Sequence, residues 1–408
     1  MKIQISRMMD KLYTISQYGK DPSGGWSRYS FSDDDLKVRD IMTSWASNLG
    51  MAVRTDPAGN WIARLEGNNN KSPVIALGSH IDTVKNGGMF DGSLGMVAAF
   101  EVINVITENN LIHNNPIEII SFAEQDGSGF GASLFGSKAM AGVADDVLLQ
   151  RKNGMGLSLG EAMKRVGCDP QLYRSAQRSK EEIKCYLELH IEQGTILDDA
   201  KVSIGIVDGV AGFEWDKVVL KGKSAHAGTI PMTSRVDAVL AAAEIIVAVE
   251  KTAKHMNGQI IATVGRCDIQ PNTINIVADE AVVYVDIRSI DDRERKSFFS
   301  ILSKEIEKIC EKEKVMYRLE KIAETPSIIL DDSLVHRIED ISEKCGYEYR
   351  HIISGAGHDV QSMSLITDAA MIFVPSKGGI SHSPKELTDA SDIEKGANVL
   401  LNTIIGLL

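Results

Sequence analysis

Short runs of apolar residues alternate along this chain with segments whose apolar residues recur every three or four positions. The runs cover residues 73–80, 117–123 and 369–374, and residues 186–192 alternate between apolar and polar. Helical periodicity follows at 95–107, and an earlier helix begins after Ser32, a residue suited to an N-cap, and ends at Gly50. Strands that alternate with helices predict an α/β protein with a largely parallel sheet.

The pattern changes between residues 212 and 327. It predicts, in order, a strand (213–221), a helix (234–255), two strands (259–267 and 274–288), a helix (291–312) and a last strand (315–322). This order is the ferredoxin-like β-α-β-β-α-β arrangement. We therefore predict one discontinuous domain, residues 1–211 and 328–408, with an α+β domain of residues 212–327 inserted into it.

Composition and charge narrow the range of functions. The 408 residues are 43% hydrophobic and 25% charged, as in ordinary globular proteins of two or three domains. A net charge of -12 argues against nucleic acid or an anionic membrane as a partner. No apolar run approaches the roughly 20 residues of a membrane helix, and no signal peptide is evident. Five scattered cysteines without a CxxC spacing predict a reduced, cytoplasmic protein.

Side chains able to bind metal ions follow the apolar runs. Because ligands bind outside the carboxyl ends of the strands in open parallel sheets, these side chains are expected at one edge. Each of them alone is more often a solvated or hydrogen-bonded polar residue, but their joint placement favours a site for Zn, Mn, Co or Ni. The candidates are His80, Asp82, Asp91, Glu124, Asp126, His190, Glu192 and His382. His358 lies in a glycine-rich loop that can line the same site.

Several motifs resemble those of one enzyme family, the amidase/carbamoylase branch of the M20 metallopeptidase-like superfamily. This branch includes N-carbamoyl-L-amino-acid hydrolases, allantoate amidohydrolases and β-ureidopropionases. The motifs span most of the chain and occur in the family's order. They are GSHIDTV (78–84), GMFDG (88–92), ELHIEQG (188–194), SAHAGTIPM (224–232), PNTIN (271–275), DIR (286–288), SGAGHD (354–359) and HSP (382–384).

The resemblance implies a two-metal site. Its ligands are His80, Asp91, Asp126, His190 and His382, with Asp91 bridging two divalent ions in each subunit. It also implies that Asp82 orients the His80 imidazole. Two cations side by side repel each other, and a shared carboxylate offsets part of that charge. Such a pair lowers the pKa of a bound water and polarises a carbonyl group.

The resemblance also assigns substrate contacts. His226 is expected to stabilise the oxyanion, and Asn275 and Arg288 to bind a substrate carboxylate. Gln193 is expected to contact the ureido or amide end of the substrate, and Gly357 to be a further substrate-binding residue. A surface ion pair with Asp291 or Asp292 is the alternative for Arg288. The inserted domain resembles the family's lid and dimerisation domain. We therefore expect a homodimer that acts on a small carboxylate with an amide or ureido group.

One stretch, EQDGSGF at residues 124–130, departs from the family pattern. The family has two consecutive Glu residues before Gly-Ser-Arg-Phe, a general base and then a metal ligand. Here Gln125 occupies the base position, Asp126 the ligand position, and Gly129 replaces the Arg. Because Gln cannot accept a proton near neutral pH, two interpretations remain open. Either Glu124 or a metal-bound hydroxide supplies the base, or the protein binds a related ligand without turning it over. A peptidase of the wider superfamily is a third, weaker interpretation.

Overall fold

The computed structural model describes residues 1–256, 258 and 260–408. The chain divides into two compact units. The first consists of Met1–Asp208 and Leu330–Leu408, and the second of Gly209–Ile329.

The first segment of the chain contains six α-helices and six strands. They are α1 (Ile5–Ile15), α2 (Asp33–Asn48), β1 (Ala52–Thr55), β2 (Trp61–Leu65), β3 (Val74–His80), α3 (Ser93–Glu108), β4 (Ile117–Phe122), α4 (Phe135–Met140), α5 (Leu159–Arg165), β5 (Ile183–Ile191), α6 (Ile196–Ala200) and β6 (Ile204–Val210).

The second unit contains the elements β7 (Gly212–Lys221), β8 (Ala225–His226), α7 (Ala238–His255), β9 (Ile261–Gln270), β10 (Ile276–Val277), β11 (Glu280–Ser289), α8 (Asp292–Glu313), β12 (Met316–Thr325) and β13 (Ile328–Ile329). The chain then returns to the first unit with α9 (Asp332–Lys344), β14 (Tyr349–Ser354), α10 (Asp359–Met363), β15 (Asp368–Val374) and α11 (Ala390–Ile405).

The large sheet is parallel at its centre. Its strand order is β1-β2-β4-β3-β5-β15-β6-β13, and β14 also pairs with β6. The four central strands, β4, β3, β5 and β15, are mutually parallel, whereas β2 joins β4 and β6 joins β15 in antiparallel fashion. The mixed α/β architecture predicted from the pattern is therefore confirmed, with antiparallel strands added at both sides of the parallel centre.

The central strands are buried because helices pack on the sheet. Every residue of β3 and β4 is buried, which accounts for their nearly continuous apolar sequences. The alternation in residues 186–192 does not mark an exposed face, since all of these residues are buried. Glu188 and His190 consequently lie inside the protein, 1% exposed each.

The second unit has an antiparallel sheet in the order β12-β7-β11-β9, and α7 and α8 contact it. Side chains of both helices and of β7 and β11 form its core, including Val218, Leu220, Ile245, Val283 and Phe298. Buried residues alternate with less buried ones along β7 and β11, as expected for strands covered on one face.

Several predicted boundaries in this unit differ from those of the structure. The helix begins at Ala238 rather than at 234, because the Asp237 side chain accepts hydrogen bonds from the Val239 and Leu240 amides. The predicted strand 274–288 was wrong as one element: β10 pairs with β8, and β11 begins only at Glu280. Gln259, the predicted start of another strand, lies outside the described residues, and β9 begins at Ile261.

The structure also bears on the cysteines and on membrane-spanning helices. All five cysteines are free thiols. Among the described residues, no helix combines the length and the apolar character needed to cross a membrane.

Candidate metal centre

Two buried histidines lie at the carboxyl ends of adjacent parallel strands. His80 ends β3 and His190 lies near the end of β5, and they are 0% and 1% exposed. In each, Nδ1 contacts a main-chain carbonyl oxygen, that of Asp82 at 3.0 Å for His80 and that of Ile191 at 2.9 Å for His190. These contacts fix the ring orientation and leave Nε2 available as a ligand atom.

Asp91 lies just before α3 and faces both rings. Its Oδ1 is 3.2 Å from His190 Nε2 and 3.6 Å from His80 Nε2. The following residue, Gly92, has a φ of 62°, and a Cβ built on it would lie 2.4 Å from the His80 ring. A glycine is therefore required here both by the backbone conformation and by the close approach of the imidazole.

Asp126 follows β4 in an irregular segment. Glu124 has a φ of 55°, so the alternation of strand side chains ends there. The Gln125 and Asp126 amides donate to the Asp82 carboxylate at 3.3 and 3.1 Å. The Asp82 carboxylate itself is 3.7 Å from His80 Nδ1. Asp82 thus contacts His80 most closely through its main-chain carbonyl, and its carboxylate holds the segment that carries Asp126.

His382 completes the group from a loop after β15. Its φ is 53°, and 51% of its side chain is exposed. Its Nε2 is 3.1 Å from Asp91 Oδ2 and 3.9 Å from Asp126 Oδ1. The five predicted ligands therefore lie together, although they come from five separate segments of the chain.

These residues form two potential ligand groups that share Asp91. Ligand atoms of His80, Asp91 and His190 lie within 4.8 Å of one another, and so do those of Asp91, Asp126 and His382. Within the described part of the chain, His80 Nε2, His190 Nε2 and Asp126 Oδ2 are buried without a hydrogen-bond partner. Buried polar atoms normally have partners, so this donor set fits divalent cations that accept imidazole and carboxylate ligands.

The charges of the cluster shift its pKa values strongly. Burial, together with the Asp91 and Asp82 charges, raises the pKa of Asp126 to about 8. Burial would also raise the pKa of Asp91, but contacts with His190, His382 and His80 bring it well below the usual range. Hydrogen bonding to Asp91 raises the pKa of His382 to about 9. Protons and cations therefore compete for the same atoms.

Glu124 and Gln125 differ in what their side chains contact. Glu124 Oε1 accepts from the Phe130 amide at 2.6 Å, whereas its buried Oε2 has no hydrogen-bond partner among the described residues. Burial and the Asp82 charge raise the pKa of Glu124 to about 8. Gln125 Nε2 donates to the Gly357 carbonyl at 3.0 Å. A Cβ on Gly129 would lie 2.9 Å from Glu124 Oε2, so the Glu124 carboxylate fills the space beside Gly129.

Other predicted residues of the first unit also contact this cluster. Gln193 Nε2 lies 3.2 Å from Asp91 Oδ2 and 3.2 Å from His382 Nε2. The His358 ring packs edge-on against His190, with centroids 4.5 Å apart, and its Nε2 is 3.0 Å from Ser354 Oγ. Gly357 contributes the carbonyl that binds Gln125.

The predicted substrate residues His226, Asn275 and Arg288 all belong to the second unit. His226 is exposed in β8, which pairs with β10, and the Ala227 amide donates to the Asn275 carbonyl at 2.9 Å. These contacts place His226 and Asn275 side by side. Arg288 in β11 pairs with Asp286 at 2.9 Å. The partners considered for it from the sequence pair with other residues, Asp291 with Arg293 and Asp292 with Arg295.

Sequence reasoning did not single out two buried charged residues beside the cluster. Arg28 is 2% exposed and donates to the Ile81 carbonyl and to Ser93 Oγ. Glu386 is 6% exposed and accepts from the Phe90 and Asp91 amides. The only sequence signal for Glu386 was its place in the loop of His382, and an isolated arginine such as Arg28 gives none.

Together, the α/β fold and the cluster at its strand ends define a protein with a candidate divalent-metal centre. Residues 76–405 match the family described as peptidase family M20/M25/M40. This chain belongs to that family.

Relatives of this chain include enzymes named as amidohydrolases. The chain is 36% identical to an N-carbamoyl-L-amino acid amidohydrolase of Geobacillus stearothermophilus, over 98% of both chains. It is 33% identical to an allantoate amidohydrolase of Escherichia coli K12, over 95% of this chain and 94% of that protein. A crystal structure of a hydantoinase/carbamoylase family amidase from Burkholderia multivorans superposes with a TM-score of 0.91 at 31% identity, covering 99% of this chain and 98% of that one. The family resemblance is confirmed, and the chain is an enzyme of the amidohydrolase class.

Proposed function

We propose that this enzyme uses two divalent ions to hydrolyse a linear C–N bond in a small carboxylate of the N-carbamoyl-L-amino acid or allantoate class. The observation that carries the proposal is the position of Asp91. Its Oδ1 faces His190 in one potential ligand group, and its Oδ2 faces His382 in the other. The names of the relatives support the same reaction class. Zn, Mn, Co and Ni all suit this set of ligands.

Each group of residues has a proposed task. His80, Asp91 and His190 hold one ion, and Asp91, Asp126 and His382 hold the other. The pair, when bound, polarises the scissile carbonyl and activates the attacking water. Arg288 and Asn275 bind the substrate carboxylate, His226 donates to the developing oxyanion, and Gln193 and Gly357 contact the remaining polar groups of the substrate. Arg288 suits its task because a guanidinium binds a carboxylate through two parallel hydrogen bonds.

We propose Glu124, in its ionised form, as the proton acceptor in place of Gln125, and the charge of bound divalent ions would favour that form. Gln125 has no basic atom, and its amide is engaged by the Gly357 carbonyl. Glu124 is fully buried, and its Oε2 has no hydrogen-bond partner among the described residues. The missing side chain at Gly129 leaves room for this carboxylate. The interpretation as a binding protein without turnover gains no support from the relatives, which are named as hydrolases.

We also propose that the second unit forms a homodimer interface and serves as a lid, as the family resemblance implies. One face of α7 exposes apolar side chains, including Leu240, Ile246 and Val247 at 42%, 36% and 48% exposure. The neighbouring strand β9 is at an edge of its sheet. Light scattering should give twice the chain mass, and Leu240→Asp with Val247→Asp should give monomers. A monomeric wild type would contradict this proposal.

A substrate panel tests the proposed reaction. Protein loaded with Mn, Co, Ni or Zn is assayed for ammonia release from N-carbamoyl-L-amino acids and allantoate, and in parallel for cleavage of dipeptides. We expect turnover of the ureido substrates and little of the dipeptides. Preference for dipeptides would favour the peptidase interpretation. No turnover of any ureido or N-acyl substrate would contradict the proposal. The cytoplasmic location remains a prediction from the cysteine pattern.

A further inference from the structure

Glu386 lies in the same loop as His382, and its carboxylate points away from solvent toward residues 88–91. The side chain is buried, although none of the potential ligand groups found among the described residues includes it. A buried carboxylate is costly unless it is well hydrogen-bonded, so its contacts indicate what it does.

The Glu386 carboxylate joins two loops by three hydrogen bonds. Oε1 accepts from the Phe90 amide at 2.9 Å and from the Asp91 amide at 3.1 Å. Oε2 accepts from the Ser381 hydroxyl at 2.9 Å. One oxygen therefore holds the backbone of the bridging candidate Asp91, and the other holds the residue directly before His382.

Gly88 provides the space for this arrangement. A Cβ on Gly88 would lie 2.0 Å from Glu386 Oε1 and 2.5 Å from Glu386 Cβ. The whole side chain, and not only its flexible end, occupies the position of a residue-88 side chain. The two loops are thus shaped to enclose the Glu386 carboxylate.

The other ligands are held in different ways. His80 and His190 belong to buried central strands. The backbone of Asp91 is also fixed by the start of α3, where the Ser93 amide donates to the Asp91 carbonyl at 2.6 Å. His382 has no strand or helix of its own and is half exposed. Its position depends on the loop that Glu386 fastens.

We propose that Glu386 is a positioning residue that sets the distance between His382 and Asp91 and thereby forms the ligand group of Asp91, Asp126 and His382. This inference rests on the proposed two-ion function. Partners of ligand residues typically contribute about 10–100-fold to metal affinity. We call the ion held by His80, Asp91 and His190 the first ion and the ion held by Asp91, Asp126 and His382 the second ion. Loss of Glu386 should therefore weaken binding of the second ion and leave that of the first nearly unchanged.

The experiment counts ions and measures their affinities by isothermal titration calorimetry and elemental analysis. Wild type should bind two ions per chain. Glu386→Ala should bind the second ion ~10–100-fold more weakly, with the first ion within about 3-fold of wild type. Glu386→Gln retains an oxygen for both amides and should restore the second ion to within about 5-fold of wild type, because the hydroxyl of Ser381 can accept from the new amide.

Gly88→Ala tests the same role of Glu386 independently, because the added methyl group displaces the Glu386 side chain without removing it. It should also lose the second ion, whereas Gly154→Ala, whose added methyl meets open space, should retain both. Glu101→Ala controls for instability: Glu101 is buried and accepts from the Gln4 amide, but it contacts no ligand loop. It should lower the melting temperature and keep both ions.

The outcomes separate the inference from the proposed function. Two ions of unchanged affinity in Glu386→Ala or Gly88→Ala would overturn the positioning role and leave the two-ion function standing. Fewer than two ions in wild type would overturn both. If Glu386→Ala does not fold, the comparison of Gly88→Ala with Gly154→Ala decides the question.

Discussion

The two potential ligand groups share Asp91 but are held in place in opposite ways. His80 and His190 are buried on adjacent parallel strands, and each ring is oriented by a main-chain carbonyl. Asp126 and His382 belong to irregular segments, and side-chain carboxylates of Asp82 and Glu386 hold those segments in place. One half of the centre is therefore part of the core, whereas the other depends on a few long-range hydrogen bonds. We expect the first half to resist perturbation and the second to respond to it.

Asp91 is the residue common to both halves, and its loss should have the largest effect. Asp91→Ala removes a ligand from each group, so neither ion should be retained at micromolar concentrations. Activity on a ureido substrate should fall at least ~1000-fold, which corresponds to about 4 kcal/mol of transition-state stabilisation. Elemental analysis and initial rates measure both quantities. Retention of two ions would show that the groups do not share this carboxylate.

Substitution of Glu124 tests whether this residue, in the irregular segment after β4, accepts the proton in catalysis. If Glu124 accepts the proton, Glu124→Gln should lower kcat by about 100-fold or more with both ions still bound, as for loss of a general base. Gln125→Glu should then change kcat less than about 10-fold. Turnover that appears only in Gln125→Glu would instead identify position 125 as a vacant base position and would contradict the role of Glu124.

His190→Ala and His382→Ala test the difference between the buried half and the loop half of the centre, because each removes one residue from one half. His382→Ala removes a proposed ligand of the second ion and should weaken its binding by more than the ~10–100-fold expected for loss of a ligand's partner. It should change the free energy of unfolding of metal-free protein by less than about 0.5 kcal/mol, because the side chain is half exposed. His190→Ala should remove the first ion and also destabilise the metal-free protein by about 1–3 kcal/mol, because it leaves a cavity beside Phe373 and His358. Equal stability effects in denaturant melts would contradict the proposed difference.

Asp216 in the second unit offers a contrast with the metal centre, because it is a buried carboxylate with a raised pKa that belongs to no potential ligand group among the described residues. Burial and the Glu214 charge raise its pKa to about 7, while Lys321 opposes the shift and Glu324 adds to it. Because the folded pKa exceeds the unfolded one, the proton stabilises the fold below about pH 4. That stabilisation is lost as the pH rises through about 7.

Asp216→Asn should therefore be more stable than wild type at pH 8, by about 1–3 kcal/mol, with little difference near pH 4. Asp268→Asn serves as the control, since Asp268 is exposed and pairs with Arg266. Thermal melts at the two pH values measure the effect, and metal content should not change. A loss of stability at pH 8 would show that the charged form of Asp216 is needed.

The same contrast explains how much of the centre was predictable. His80 and His190 follow apolar runs, and a parallel sheet brings the ends of such runs together, so pattern alone placed them at one edge. The same pattern also made Asp91, Asp126 and His382 candidates, but the family motifs were needed to select them as ligands, because loop conformations such as the positive φ of Glu124 leave no periodic signal. Glu386 and Arg28 were missed because their roles arise from contacts between distant segments, as between Glu386 and Phe90, 296 residues apart.

The fold, like the metal centre, was predictable from the sequence only in part. Residues 73–80 and 117–123 were predicted as buried strands because parallel central strands are covered on both faces. The split of residues 274–288 into β10 and β11 was not predicted, because the pairing of β10 with β8 is a tertiary contact that a continuous apolar pattern does not reveal.

Stepwise metal titration of the metal-free enzyme, with metal binding and turnover of a ureido substrate followed together, shows directly whether catalysis needs both ions. We predict two ions per chain, with activity that emerges only as the second, loop-held ion binds. Full activity with one ion per chain, or activity unaffected by a chelator, would contradict a two-ion mechanism.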